Sequence, residues 1–301
     1  MDTRIIINPN AGSAGDLEAV KAALAERPGT EICVSEKKGD AEELAREAVR
    51  RGVRTVVAAG GDGTLNEVLN GLSEDFAGGP GRVRLGLLPL GTGNDFARSI
   101  GVPADLAAAL GHLDAGRTQR IDVALASFQD GQRYFLNMSA GGFSSLVSEK
   151  AHEAKDRWGP LAYMRGAVDA LPELEAFEAT ITLSGAETIR MEIYNLVISN
   201  GRYVAAGIPV APQAKLDDGL LDVMIAPATA IPNLALLIPQ VLLGRHLNSD
   251  LLLFRKATRI EIDSTPPMTF NVDGEILNQE PALFELLPRA LEVVVGEMEE
   301  E

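Results

Sequence analysis

The pattern of apolar and polar positions changes character near residue 120. Before it, short apolar runs alternate with segments of helical spacing. Arg4 to Ile7 predicts a strand, and Glu31-Ile32-Cys33-Val34 predicts a second that ends near Ser35, with Cys33 as a small core residue. Between them Leu17, Val20, Ala23 and Leu24 share one side of a predicted helix, 17–26, capped by Asp16. Asp40 opens another helix to Arg51. Thr55 to Ala59 reads as a buried strand, Leu65, Val68, Leu69 and Leu72 as a helix, and Arg84 to Leu88 as a further strand. Thr64 and Glu67 form a Thr-x-x-Glu capping box, which predicts where that third helix starts. Strands alternating with helices predict βαβ units and a largely parallel sheet.

After residue 120 the predicted strands follow one another: 121–128, 133–138, 179–183, 188–199, 221–225, 259–262, 268–272 and 291–295. Turns such as Asp217-Asp218-Gly219 and Asp273-Gly274-Glu275 separate many of them. This pattern predicts a mostly antiparallel second domain with two helical inserts, 144–171 and 232–243. The predicted domains are 1–122 and 123–289, with the last strand, 290–301, packing back on the first domain. The closing Glu-Met-Glu-Glu-Glu predicts a frayed, solvated tail.

Glycine falls where the first-domain strands end. Thr55 to Ala59 runs into Gly60-Gly61-Asp62-Gly63 and then a helix. Asn8-Pro9-Asn10-Ala11-Gly12 follows the first strand, and Pro89-Leu90-Gly91-Thr92-Gly93-Asn94-Asp95 follows the strand from Arg84. A strand, a glycine loop and a helix N-terminus together bind phosphate, because backbone N–H groups and the positive helix end face one spot. In parallel sheets ligands sit beyond the carboxyl ends of the strands, so three such loops on one rim predict a nucleotide phosphate site. Asp62 is the odd member. A carboxylate repels phosphate, which points to a bridging Mg²⁺ or to a hydroxyl that must be oriented or deprotonated.

Charge narrows the field. The 301 residues carry a net charge of −16, which argues against nucleic acid and against simple electrostatic docking on anionic membrane. A single cysteine excludes internal disulfides and fits a reducing compartment. The N-terminus lacks a signal-peptide pattern, and the apolar stretch 231–243 is too short and interrupted to span a bilayer, so the expectation is a cytoplasmic protein. Acidic groups gather in turns: Asp62, Asp95, Asp217, Asp218, Asp222, Asp273 and Glu275. Each alone reads as a turn former. Beside three glycine loops, the set offers what phosphoryl transfer needs, namely carboxylates for Mg²⁺ and one to accept a hydroxyl proton. His112, His152 and His246 sit beside no nucleophile motif, and Gly-x-x-x-x-Gly-Lys-Ser/Thr is absent.

The segments Asn8–Gly12, Gly60–Glu67, Gly91–Ala97, Ala211-Pro212 through Asp222, and Asp273-Gly274-Glu275 resemble, in that order, the diacylglycerol kinase catalytic-domain family. Trp158-Gly159-Pro160-Leu161-Ala162-Tyr163 is similar to its bacterial members. The resemblance implies an α/β fold: a Rossmann-like, NAD-kinase-like nucleotide-binding domain, a C-terminal β-sandwich domain, and ATP in the cleft between them. It implies that Asn8, Pro9, Asn10, Ala11, Gly12, Ser35, Gly60, Gly61, Asp62, Gly63, Thr64, Asn66, Glu67 and Thr92 line the nucleotide. Asp62 would hold a catalytic Mg²⁺ through water, with Asp95 in the same network. A second, structural Mg²⁺ would sit on Asp218, with backbone oxygens from Lys215 and Leu220. The base would be Glu275 or Asp273, and the residues do not decide between them. Ser35 stands where the family has Thr and keeps the hydroxyl. Ala205-Ala206-Gly207 replaces a Gly-Gly-Gly-like stretch, and alanine resists positive φ, which predicts a reshaped acceptor pocket.

The function these residues imply is ATP-dependent transfer of the γ-phosphate to a lipid hydroxyl, with transient contact at a membrane surface. Which lipid is open, and homodimers are a habit of the family rather than something the residues establish. A kinase for a soluble hydroxyl, of NAD-kinase type, fits the acidic charge but not Gly91–Ala97 or Ala211–Asp222. A nucleotide-binding regulator without chemistry would be expected to lack Asp62 or the acids at 273–275, and all are present.

Overall fold

Runs made mostly of β-branched, leucine and alanine residues can be buried on both faces, which is what a parallel sheet between helices requires. The computed structural model shows this arrangement, and it describes residues 2–12, 17–25, 27–158, 162–229, 231–277 and 283–296. The Asp16 cap, the Gly159-Pro160-Leu161 segment and the acidic tail lie outside the described residues. The chain divides into two compact units, Met1–Val123 with Leu287–Glu301, and Ala124–Leu286.

In the first unit, β1 (Thr3–Ile7), β2 (Thr30–Val34), β3 (Thr55–Gly60) and β4 (Arg84–Pro89) are parallel in the order β4-β3-β1-β2. The end of the closing strand joins β4 in parallel, Glu292 beside Arg84 and Val293 beside Leu85. The helices are α1 (Leu17–Ala25), α2 (Asp40–Arg50), α3 (Asp62–Gly71), α4 (Ser73–Phe76), α5 (Asp95–Ser99) and α6 (Leu106–Ala115). β1, β3 and β4 are buried beyond their first residue. Cys33, expected in the core, is half-buried on the edge strand β2. Arg4 is the buried exception on β1, 1% exposed, with its guanidinium on Glu31 and Glu47 and on the Leu44 carbonyl. A buried charge persists only where its donors are satisfied, and these acceptors do that.

In the second unit the register is antiparallel throughout. β5 (Thr118–Phe128) enters it and pairs with β6 (Gly131–Phe135); β7 (Met138–Gly142) follows, then α7 (Phe143–Trp158) and α8 (Ala162–Ala170). β8 (Phe177–Leu183) pairs with the first half of β9 (Glu187–Ser199), and the second half of β9 lies between β7 and β10 (Leu221–Pro227). After α9 (Ile231–Leu242) come β11 (Leu253–Ala257) on β10, β12 (Arg259–Thr265) on β8, the hairpin β13 (Phe270–Val272) and β14 (Glu275–Leu277), and β15 (Leu283–Val294). β12 buries alternate residues, the signature of a sheet with one solvated face. Phe270 and Phe135 both pack against Phe284, at ring-centroid distances of 5.5 and 6.1 Å, in a core shared with Ile181, Ile193 and Ile260. Among the described residues no helix is long and apolar enough to cross a membrane.

Three expectations need correction. The strand expected over 133–138 is broken at Leu136–Asn137. The N–H groups of Leu136, Asn137 and Met138 go to the Asp273 carboxylate instead of a neighbouring strand. Strand β11 was missed, because Leu251-Leu252-Leu253-Phe254 continues an apolar region with no alternation to mark it. Third, Ala205 and Ala206 do adopt positive φ, 52° and 68°, ahead of Gly207 at 107°. Val204 and Ile208 hold that turn with two backbone hydrogen bonds of 3.0 and 2.7 Å. Left-handed backbone costs a residue with a Cβ about 1–2 kcal/mol, more than the entropy glycine loses on folding. Exposed Ala206→Gly is therefore expected to raise stability by about 0.5–1 kcal/mol, read from urea unfolding.

Candidate active site

The glycine loops of the first unit meet. A Cβ on Gly91 would lie 2.3 Å from the Gly61 Cα, so the loops after β3 and β4 pass backbone against backbone, and only glycine allows it. A Cβ on Gly12 would lie 2.8 Å from Thr92 Oγ1, which brings the loop after β1 to the same place. Side chains lock the contact. Asn8 Nδ2 donates to Thr64 Oγ1 at 3.0 Å, and Asn8 Oδ1 accepts from Asn10 N at 2.9 Å. Ala11 N donates to the Asn8 carbonyl at 3.2 Å, so Pro9 lies within a tight turn. Ser35 is buried at the end of β2, its N–H on the Ile7 carbonyl at 2.9 Å. Asn94, a role the sequence reading missed, takes positive φ (52°) and latches its own loop through Gly91 N and Gly91 O, at 3.1 and 2.7 Å.

The start of α3 differs from the expected capping box. The helix begins at Asp62, with Gly61 as an N-cap in extended conformation and no side-chain cap. Thr64 and Asn66 are buried inside the first turns, and the Glu67 carboxylate accepts the N–H of Ala41 at 3.2 Å. The box fails because Asp62 already supplies a favourable charge in the first turn, while α2 supplies a free donor for Glu67. An uncapped N-terminus leaves orphan N–H groups pointing away from the helix, the arrangement that receives an anion.

Asp62 is half-buried beside Gly61 and Gly63. Its Oδ1 accepts from Asp95 N at 2.9 Å and from Phe96 N at 3.3 Å, so it caps α5, whose first residue, Asp95, is buried. Burial pushes the Asp62 carboxyl above the ordinary carboxylate range, against these backbone donors. Among the described residues no lysine or arginine forms an ion pair with it. A desolvated carboxylate without a cationic partner among the described residues, at the edge of a helix end suited to anions, is a group that could hold a divalent cation.

In the second unit, Asp273 (φ 44°) and Gly274 (φ 90°) form the two-residue turn between β13 and β14, both in the left-handed region. Asp273 accepts three backbone N–H bonds of 2.9 to 3.1 Å from residues 136–138. Glu275, two residues on, pairs with Arg133 Nε at 3.0 Å, a partner the sequence reading did not name. Asp218 lies elsewhere in this unit. Its Oδ1 accepts from Leu220 N at 3.1 Å, and Lys256 Nζ lies 3.1 Å from its Oδ2. Lys215 and Leu220 flank that turn in sequence. A cavity of about 340 Å³ is lined by Val210, Met224, Leu247, Phe254, Ser199 and Lys256 among others. Ser199 pairs with Met138, and Asp273 N donates to the Met138 carbonyl, so one strand separates the cavity wall from the Asp273 turn.

Residues 2–126 match the diacylglycerol kinase catalytic domain, and residues 137–295 match the YegS C-terminal NAD kinase beta sandwich-like domain. A diacylglycerol kinase of Staphylococcus haemolyticus (strain JCSC1435) is 33% identical over 295 residues, covering 96% of this chain and 87% of that protein. The diacylglycerol kinase of Staphylococcus aureus (strain MRSA252) is 33% identical, over 96% and 91%. A crystal structure of a diacylglycerol kinase from Bacillus anthracis str. Sterne superposes with a TM-score of 0.74 at 26% identity, over 98% of this chain and 97% of that one. An NAD kinase from Archaeoglobus fulgidus, solved with ATP, shares the fold at a TM-score of 0.53 and 12% identity, over 98% and 94%. The chain belongs to the diacylglycerol kinase catalytic-domain family and is a phosphotransferase of the lipid-kinase class. The expected α/β architecture, with an NAD-kinase-like first domain and a β-sandwich second, is borne out.

Proposed function

We propose that the protein transfers the γ-phosphoryl group of ATP to the free hydroxyl of diacylglycerol or a related lipid, giving a phospholipid such as phosphatidic acid. The observation that carries this reading is the interlock of three glycine loops around the uncapped start of α3 with Asp62 inside it. In this reading the backbone of 8–12, 60–64 and 91–95 receives the phosphates, and Thr64, Asn66, Glu67, Ser35 and Thr92 shape the surround. Asp62 would hold a Mg²⁺, which when bound would neutralise charge at the phosphates.

Glu275 is the base of choice. Asp273 already accepts three backbone N–H groups, so its carboxylate is committed to holding the turn, whereas Glu275 lies outside that nest, beside Arg133. Glu275 takes the acceptor hydroxyl proton as that oxygen bonds the γ-phosphorus. The bond from the γ-phosphorus to the bridging oxygen breaks, and ADP leaves.

The cavity under Met224 and Phe254 has an apolar wall and a polar one, with Asp222 and Lys256 on the latter, and is of a size that takes part of a lipid beside its hydroxyl end, which supports it as the acceptor's seat. A lipid acceptor requires transient contact with a membrane surface. Met224→Trp would fill this cavity. The expected result in steady-state kinetics is a KM for dispersed lipid raised about tenfold, as losing about 1.4 kcal/mol of binding requires, with the KM for ATP unchanged. An unchanged lipid KM removes the cavity from the reaction.

A further inference from the structure

The turn after Lys215 was the expected seat of a structural divalent cation, and its residues do not fit one. Mg²⁺ requires near-octahedral oxygen ligation at about 2.0–2.1 Å. Both Asp218 oxygens already face N–H donors, Leu220 N at 3.1 Å and Lys256 Nζ at 3.1 Å. The same Nζ lies 3.0 Å from Asp222 Oδ2. Strand register fixes this: Asp222 on β10 stands directly opposite Lys256 on β11. The three side chains are part-buried, 36% exposed for Lys256, 23% for Asp218 and 21% for Asp222, so the ammonium is not simply a solvated charge. A divalent ion on Asp218 would meet a fixed positive charge within contact distance of its main ligand.

We propose that the Lys256 ammonium is the built-in counter-ion of the Asp218 and Asp222 carboxylates, so that this turn and the β10–β11 pair hold their structure without a metal ion. A lysine on the opposing strand does here, with a single tethered charge, what a bound cation would do. The site therefore asks nothing of the magnesium concentration. The claim concerns stability and metal content, and stands or falls apart from the kinase reading.

The test is thermal unfolding of the nucleotide-free protein in EDTA and in millimolar Mg²⁺ or Ca²⁺, with metal analysis of the purified chain. The expected result is one Tm in all three conditions and no stoichiometric metal. Lys256→Met leaves two carboxylates facing each other. Its Tm is expected to fall in EDTA and to recover in part with Mg²⁺ or Ca²⁺, because the vacated position then favours a cation. A wild-type Tm that drops in EDTA and returns with Mg²⁺ overturns the proposal. So does a Lys256→Met variant that unfolds at the wild-type temperature. If Lys256→Met does not fold, the wild-type comparison still decides, and Lys256→Arg, which keeps the charge, is expected to remain indifferent to EDTA.

Discussion

Asp62→Asn is expected to lower kcat about 10³-fold while leaving the fold intact. The substitution keeps Oδ1, which accepts from Asp95 N and Phe96 N, and removes only the charge. Loss of one preorganised group that acts on developing charge commonly costs 10²–10³ in rate, and a metal-bearing carboxylate belongs at or above the top of that range. The pH dependence separates charge from structure. Burial raises the folded-state pKa of Asp62 above its unfolded value. The native state therefore holds a proton that the unfolded state has lost across the window between those two values. Stability contributed by this group falls as pH rises through that window, and is constant above it. Asp62→Asn has no such window, so its Tm is expected to equal or exceed that of wild type at neutral pH. In wild type the acid limb of kcat/KM is expected above the ordinary carboxylate range. A variant that unfolds readily, or one with full activity, would remove Asp62 from the assigned role.

Glu275→Gln is expected to lower kcat by 10²–10⁴, the span of general-base catalysis, with little change in KM for ATP. The amide keeps the shape beside Arg133 and cannot take a proton at neutral pH. Asp273→Asn should fail differently. An amide presents N–H donors to a nest of backbone N–H donors, leaving at least one buried group unsatisfied at about 1–3 kcal/mol. Its signature is a lowered Tm. Reversal of the two results, with Asp273→Asn folded and inactive and Glu275→Gln active, would exchange their roles.

Much of the architecture was legible because its signals are local. β3 and β4 are apolar beyond their first residue, and β1 beyond Arg4, and such runs bounded by glycine loops announce buried parallel strands. The convergence of Gly12, Gly61 and Gly91 followed from the rule that parallel strands deliver their loops to one rim. What was not legible depends on partners far apart in sequence. The Thr64–Glu67 spacing predicts a cap on its own helix, and nothing local in the sequence points to Ala41 N, 26 residues away, as the competing donor. The break in the strand over 133–138 is imposed by Asp273, more than 130 residues downstream. Ala205 and Ala206 violate local preference, and only the closed turn between Val204 and Ile208 reveals what holds them. Lys256 has no motif around it. Its meaning appears only when β11 is placed against β10.

The measurement that tests the central claim most directly is transfer of labelled γ-phosphate from ATP, with Mg²⁺, to detergent-dispersed diacylglycerol, with NAD as the soluble acceptor alongside. The account predicts label in an extractable phosphatidic acid and none on NAD. Label on NAD alone, or binding of ATP with no label on any hydroxyl lipid offered, would contradict it.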